Sequence, residues 1–206
     1  MSGRLRIDVF FDFICPWCLI GKRHLESALR MLAATHPEVG FALQWHSRPL
    51  LPDTPPHGVP YLEFYRRRLG SADAVAVRQA QVLEAARRAG VTIAFERIRV
   101  LPSTLAAHRL ALQAQREAPQ GTHAGAVIDA LFHEYFLLGH DIGQPAVLQA
   151  VAARCGVIGD AEAAPLPKGL PGVHGVPFFR FGGAVSVEGA QPPETLVAAM
   201  KQALDS

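Results

Sequence analysis

The chain has 206 residues, half of them apolar, with 20 basic against 18 acidic side chains and a net charge of +2. That length suits one large domain or a small domain carrying an insertion, and the near balance of charge argues against a nucleic-acid partner. No apolar run reaches the length of a membrane span, and Asp8 and Asp12 break the N-terminal stretch a secretory leader would need, so a soluble cytoplasmic protein is expected; in that reducing compartment three cysteines are not expected to form a disulfide framework.

Leu5, Ile7, Val9, Phe11 and Phe13 alternate with Arg4, Arg6, Asp8 and Asp12, the period-two pattern of a strand with one buried face. The strand runs directly into Cys15-Pro16-Trp17-Cys18. Behind that tetrad Leu25, Ala28, Leu29 and Leu32 form a helical stripe that proline ends at His36-Pro37, and Val39, Phe41, Leu43 and Trp45 alternate again. A strand, helix, strand unit of this size predicts a right-handed crossover with parallel pairing. Cys15 then sits at the carboxyl end of the first strand, where open α/β sheets place their sites.

Two thiols separated by two residues can close a disulfide with little rearrangement. A sulfur at a helix start meets unpaired backbone N–H groups and the positive end of the dipole, both of which favour its anionic form. A lone Cys-x-x-Cys also fits half of a zinc site or two small buried hydrophobes. Zinc would need a second ligand pair, and no further Cys-x-x-Cys or His-x-x-x-His follows, so no metal is expected. At a strand-to-helix junction the spacing is that of a redox pair. Asp12 falls on the polar side of the strand and is expected to cap or orient the turn; His24, two helical turns beyond Cys15, is expected to face solvent.

From Pro49 to Pro60 the chain is proline-rich, which marks a boundary. Helices are predicted over Tyr61–Leu69, Ala72–Ala89, Ser103–Glu117, His123–Leu138 and Pro145–Cys155. In the first, Arg66-Arg67-Arg68 lies among Tyr61, Phe64 and Leu69 and reads as the wet side of a helix. In the third, Ala107, Leu110, Ala111 and Ala114 form the buried stripe, with Ser103 or Thr104 as N-cap. In the last, Leu148, Val151, Ala152 and Cys155 share a face, which predicts a buried, unreactive Cys155. Residues 157–175 are rich in glycine and proline, with room for one helical turn around Asp160–Ala164; a connection of this kind suits a lid or a flexible segment. Phe178, Phe179 and Phe181, a Gly182-Gly183 turn and residues 184–188 predict a hairpin, and Pro192-Pro193-Glu194 opens a final helix.

The order β-α-β, helical block, β-β-α, with Cys15-Pro16-Trp17-Cys18 at the first junction and Gly175-Val176-Pro177-Phe178-Phe179 before the hairpin, resembles the thioredoxin fold with an all-helical insertion. More narrowly it is similar to DsbA-like thioredoxins of the FrnE type, relatives of 2-hydroxychromene-2-carboxylate isomerase and kappa-class glutathione transferase. Ile20-Gly21-Lys22-Arg23, Ala107-His108-Arg109-Leu110 and Gly189-Ala190-Gln191 extend the resemblance over nearly the whole chain. It departs at Ser103-Thr104, where relatives carry Asn-Thr, and in a shorter 157–175 connection. The resemblance implies an α/β chain divided into residues 1–50 and 173–206 as two parts of the thioredoxin-like domain and 51–172 as helical insertion and linker.

It further implies a thiol–disulfide oxidoreductase in which Cys15 attacks and Cys18 resolves, with Pro16, Trp17, Val176, Pro177 and His108 contacting substrate. Val176-Pro177 is expected to be cis and to lie against Cys15, leaving the Val176 backbone free to pair with an extended substrate. His108 has a second reading as a hydrogen-bonded core histidine. The expected partner is a protein or small-molecule disulfide or thiol, with no cofactor beyond the Cys15–Cys18 disulfide; glutathione and a homodimer are left open. The alternative is a glutathione-dependent isomerase or transferase, for which Cys18 would be superfluous.

Overall fold

The computed structural model describes residues 4–118, 122–158, 166 and 172–205. Its central strand is β1 (Arg4–Phe11), paired parallel with β2 (Gly40–Ser47) across the crossover helix α1 (Pro16–Thr35). On its other edge β1 pairs antiparallel with β5 (Phe178–Phe181), which turns through Gly182-Gly183 into β6 (Val185–Glu188), so the sheet order is β2-β1-β5-β6. The C-terminal helix α7 (Pro193–Leu204) packs beside α1. This is the predicted α/β order.

The first strand departs from expectation in burial. Leu5, Ile7, Val9 and Phe11 are buried as the alternation requires, but Asp8 and Phe10 on the other parity are buried too. Phe10 stacks on His46 at 4.5 Å and meets Phe178 edge-on at 5.6 Å. Burial pushes the Asp8 carboxyl up, but hydrogen bonds from Arg6 and His46 outweigh it and hold the group below its ordinary value.

Between β2 and β5 lie α2 (Tyr61–Leu69), α3 (Ala72–Arg88), α4 (Leu105–Glu117), α5 (Thr122–Phe132) and α6 (Pro145–Cys155). Ser71 caps α3 by accepting from the Ala74 N–H at 3.0 Å. Thr104 is the N-cap of α4 but makes no side-chain cap bond. The predicted helix over 123–138 ends as α-helix at Phe132 and continues as a π-turn over His133–Leu137, which carries Glu134 inward to meet His140 and Arg154. Periodicity did not reveal a two-stranded ladder of β3 (Val59–Pro60) with β4 (Val100–Leu101). Gly58 enters it at φ +70, and a Cβ there would meet Val100 Cγ1 at 2.4 Å and the Leu101 carbonyl oxygen at 2.8 Å. α4 and α5 pack on β2, and buried Lys22 ties α1 to α5 through Asp129 at 2.6 Å while also meeting Glu26 at 2.5 Å.

Two expectations are corrected. Cys155 is half-buried rather than core, because α6 turns Val151 fully inward and leaves its last turn near the surface; what burial it has pushes the thiol up. His24 is not simply solvent-facing, since its Nδ1–H donates to the Gln191 carbonyl at 2.9 Å and ties α1 to the segment before α7. The helical turn expected around Asp160–Ala164, and most of the connection expected to act as a lid, lie outside the described residues.

Candidate active site

The end of β1 turns tightly into α1. The Cys15 N–H donates to the Asp12 carbonyl at 3.2 Å, Cys15 is the N-cap with an extended backbone, and Pro16 occupies the first helical position, where its missing N–H costs no intrahelical bond. No acidic side chain stands in the first turn to offset the dipole at Cys15. The two thiols differ in setting: Cys15 is 8% exposed and Cys18 is 2% exposed. Burial, the hydrogen bond shared with Cys15 and the negative charge around it push the Cys18 thiol well up, against a weaker pull from the Asp12 N–H, which reaches its Sγ at 3.5 Å.

The far wall comes from the other end of the chain. The Val176–Pro177 peptide is cis, and the Val176 carbonyl oxygen lies 3.8 Å from Cys15 Sγ. Pro177 is buried, its carbonyl accepts from the Gly189 N–H at 2.8 Å, and its ring packs on α1 at Gly21, where a Cβ would sit 2.9 Å from Pro177 Cγ. Glycine stands inside α1 for that contact, although it weakens a helix.

Behind the dithiol Asp12 is fully buried. Its Oδ1 accepts from the Phe13 N–H at 2.8 Å and from His108 Nε2–H at 3.0 Å, and its Oδ2 accepts from the Leu50 N–H at 2.7 Å. One carboxylate thus joins the β1–α1 turn, the exit from β2 and helix α4. His108, expected on the substrate wall, is 0% exposed and packs between Asp12 and the rings of Phe11 and Phe13. Its place is behind the turn, as in the core reading, because α4 presents the stripe carrying Ala107, Leu110, Ala111 and Ala114 to the sheet and carries His108 with it.

On the open side Cys15 forms the floor of a cavity of about 520 Å³. Pro16 and Trp17 line it beside the sulfur, α2 contributes Tyr61, Tyr65 and Arg68, and α3 contributes Val75, Arg78 and Val82. Arg78 lies over the Trp17 ring at 5.6 Å. Burial pushes the Tyr65 phenol well up, and it pushes Tyr61 up against an opposing hydrogen bond from Gln79. Cys15, Cys18, Pro16, Trp17, Val176 and Pro177 are therefore brought together, and His108 joins them only through Asp12. Sequence reasoning passed over Asp12 as a hub and over the two arginines. A signal was present in α2 and α3: Tyr61, Tyr65 and Arg68 fall at i, i+4, i+7, and Val75, Arg78, Gln79 and Val82 at i, i+3, i+4, i+7, so each arginine shares a face with apolar residues.

A family model described as the DSBA-like thioredoxin domain matches residues 6–166, which takes in the dithiol and the helical block and stops before Pro177. Among solved structures, a probable DsbA oxidoreductase from Streptomyces coelicolor aligns with a TM-score of 0.79 at 25% identity, over 98% of this chain and 91% of that one. The cytosolic disulfide reductase DsbM from Pseudomonas aeruginosa, solved with GSH, aligns at 0.63 and 18% identity over 98% and 100% of the two chains. A 2-hydroxychromene-2-carboxylate isomerase aligns at 0.57 and 13% identity over 96% and 95%. The last two likenesses are of fold alone. No curated protein matches the chain.

Proposed function

The chain belongs to the DSBA-like thioredoxin domain family, and on that premise we propose that it is a thiol–disulfide oxidoreductase working through Cys15 and Cys18. The observation that carries the reading is the asymmetry of the pair. Cys15 starts a helix, faces a cavity and lies beside the Val176 carbonyl, whereas Cys18 is enclosed and its thiol is pushed well up. In the reducing direction the Cys15 thiolate attacks one sulfur of a substrate disulfide, forming a mixed disulfide and expelling the first substrate thiolate. Cys18 gives up its proton and attacks the Cys15 sulfur, closing the Cys15–Cys18 disulfide and expelling the second. The substrate gains two electrons and the protein loses them.

Two glutathione molecules, entering as thiols and leaving as their disulfide, are the reductant that would restore the dithiol; glutathione is small enough for the cavity beside Cys15. The compartment proposed is the cytoplasm, since a reducing environment keeps such a dithiol available to attack. The isomerase or transferase alternative leaves the shielded second thiol without a role.

Turnover of a model disulfide with glutathione as reductant tests the reading. Cys15→Ser is expected to abolish it, and Cys18→Ser to stall as a mixed disulfide on Cys15 that mass spectrometry detects. Full turnover by Cys18→Ser would overturn the dithiol mechanism.

A further inference from the structure

The cavity against Cys15 has a definite chemistry. Its volume of about 520 Å³ is within the range of small-molecule sites. Its walls are aromatic and aliphatic, with Tyr61 and Tyr65 at 4.8 Å and Phe64 edge-on to Tyr65 at 5.2 Å. Both phenols are neutral hydroxyls, and burial pushes them further from ionising. Among the described residues its only fixed charges are Arg68 and Arg78, and no carboxylate lines it. Among the described residues neither arginine has a carboxylate partner, whereas Arg67, next along α2, is paired with Glu63. Arg78 is held over the indole of Trp17, directly beside the dithiol. Cys15, which carries the attacking sulfur, is 8% exposed and lines this cavity. A small disulfide that enters the cavity meets this sulfur directly.

We infer that this site takes a small disulfide with an apolar, aromatic body and an acidic group, the body seated against Trp17, Tyr61 and Tyr65 and the carboxylate on Arg68 and Arg78. The inference rests on the dithiol reading above. A carboxylate supplies the negative charge that, among the described residues, both guanidinium groups lack, Arg78 otherwise donating only to the neutral Gln81 Oε1 at 3.3 Å, while the ring buries apolar surface on the aromatic wall. Neither arginine takes a proton or an electron pair in the exchange steps, so they act on binding.

The experiment uses the reduced full-length protein in a Cys155→Ala background, mixed in a stopped flow with excess disulfide. Each dithiol then becomes one Cys15–Cys18 disulfide and releases two aryl thiolates. The probes are dithiobis(nitrobenzoate), which is aromatic and acidic, and dithiodipyridine, which is aromatic and neutral. The Arg68→Gln/Arg78→Gln variant is expected to lower the nitrobenzoate-to-pyridine ratio of rate constants roughly tenfold or more, chiefly through the half-saturating concentration. Arg67→Gln leaves the ratio unchanged. Calorimetric binding of nitrobenzoate to the Cys15→Ser protein is expected to weaken by a similar factor when the two arginines are replaced. An unchanged ratio, or nitrobenzoate binding indifferent to the arginines, overturns the inference while the dithiol reading stands. Arginine-dependent binding without thiolate release from either probe overturns the dithiol reading and leaves the ligand chemistry of the cavity supported.

Discussion

Replacing Asp12 by asparagine changes one atom of a side chain that water does not reach, yet it removes a charge and turns an acceptor into a donor. The carboxylate serves three donors: Phe13 N–H and His108 Nε2–H on one oxygen, Leu50 N–H on the other. An asparagine has one acceptor oxygen. In its cheaper orientation that oxygen keeps Phe13 and His108, and the amide nitrogen then points its hydrogens at the Leu50 N–H. One buried donor is left unsatisfied, at about 1–3 kcal/mol, and the two surviving bonds lose the charge that made them about twice as strong. The expected destabilisation is about 3 kcal/mol, or ~6–12 °C in Tm for a chain of this size. Urea unfolding of the reduced protein, followed by circular dichroism, measures it. A double-mutant cycle with His108→Leu should show about 1 kcal/mol or more of coupling, since the two side chains share a buried bond. A loss below about 1 kcal/mol, or additive effects, would refute the account of Asp12 as the joint between turn, sheet and α4.

Gly21→Ala should destabilise by about 1–3 kcal/mol despite the better helix propensity of alanine, because the new methyl meets Pro177 Cγ at 2.9 Å; activity should fall with it as Pro177 is pushed from its seat beside Cys15, and a stabilised variant would contradict the packing argument. Burial pushes Glu134 up, but bonds from His140 and Arg154 bring it below its ordinary value of 4.5, so its contribution is present above that pH and lost as pH falls. Glu134→Gln should accordingly cost about 1 kcal/mol at neutral pH and show a shallower acid limb in a stability-against-pH series. Timed alkylation with peptide mapping should modify Cys18 last of the three cysteines, since it is 2% exposed with its thiol pushed well up; early labelling of Cys18 in the folded protein would remove the asymmetry on which the proposed mechanism depends.

The sequence alone determined what depends on residues close together along the chain. Alternation in Leu5–Phe13 and Val39–Trp45, the stripes of the helices and the prolines and glycines between them are local signals. They placed the β-α-β start, five insertion helices and the terminal hairpin close to where they lie. The Cys-x-x-Cys at a strand-to-helix junction marked the reactive end of the sheet for the same reason: spacing and helix start are both set within a few residues. What faces what was decided only by tertiary packing. Asp12 was expected to cap or orient the turn, and it does accept from the Phe13 N–H, but its bonds to Leu50 and His108 came only when α4 and the Leu50 turn closed over it. His108 was withdrawn from the substrate wall by the same closure. Cys155 had a core spacing, but it stands in the last turn of α6, where the core that buries Val151 covers it only in part. Arg68 is exposed, as expected of the wet side of α2, and it also lines the cavity with Arg78 because α2 and α3 lie against the dithiol. A periodic pattern reports that a helix has an apolar face; it carries no information on which distant element covers that face, and the charge beside Cys15 was settled at that step.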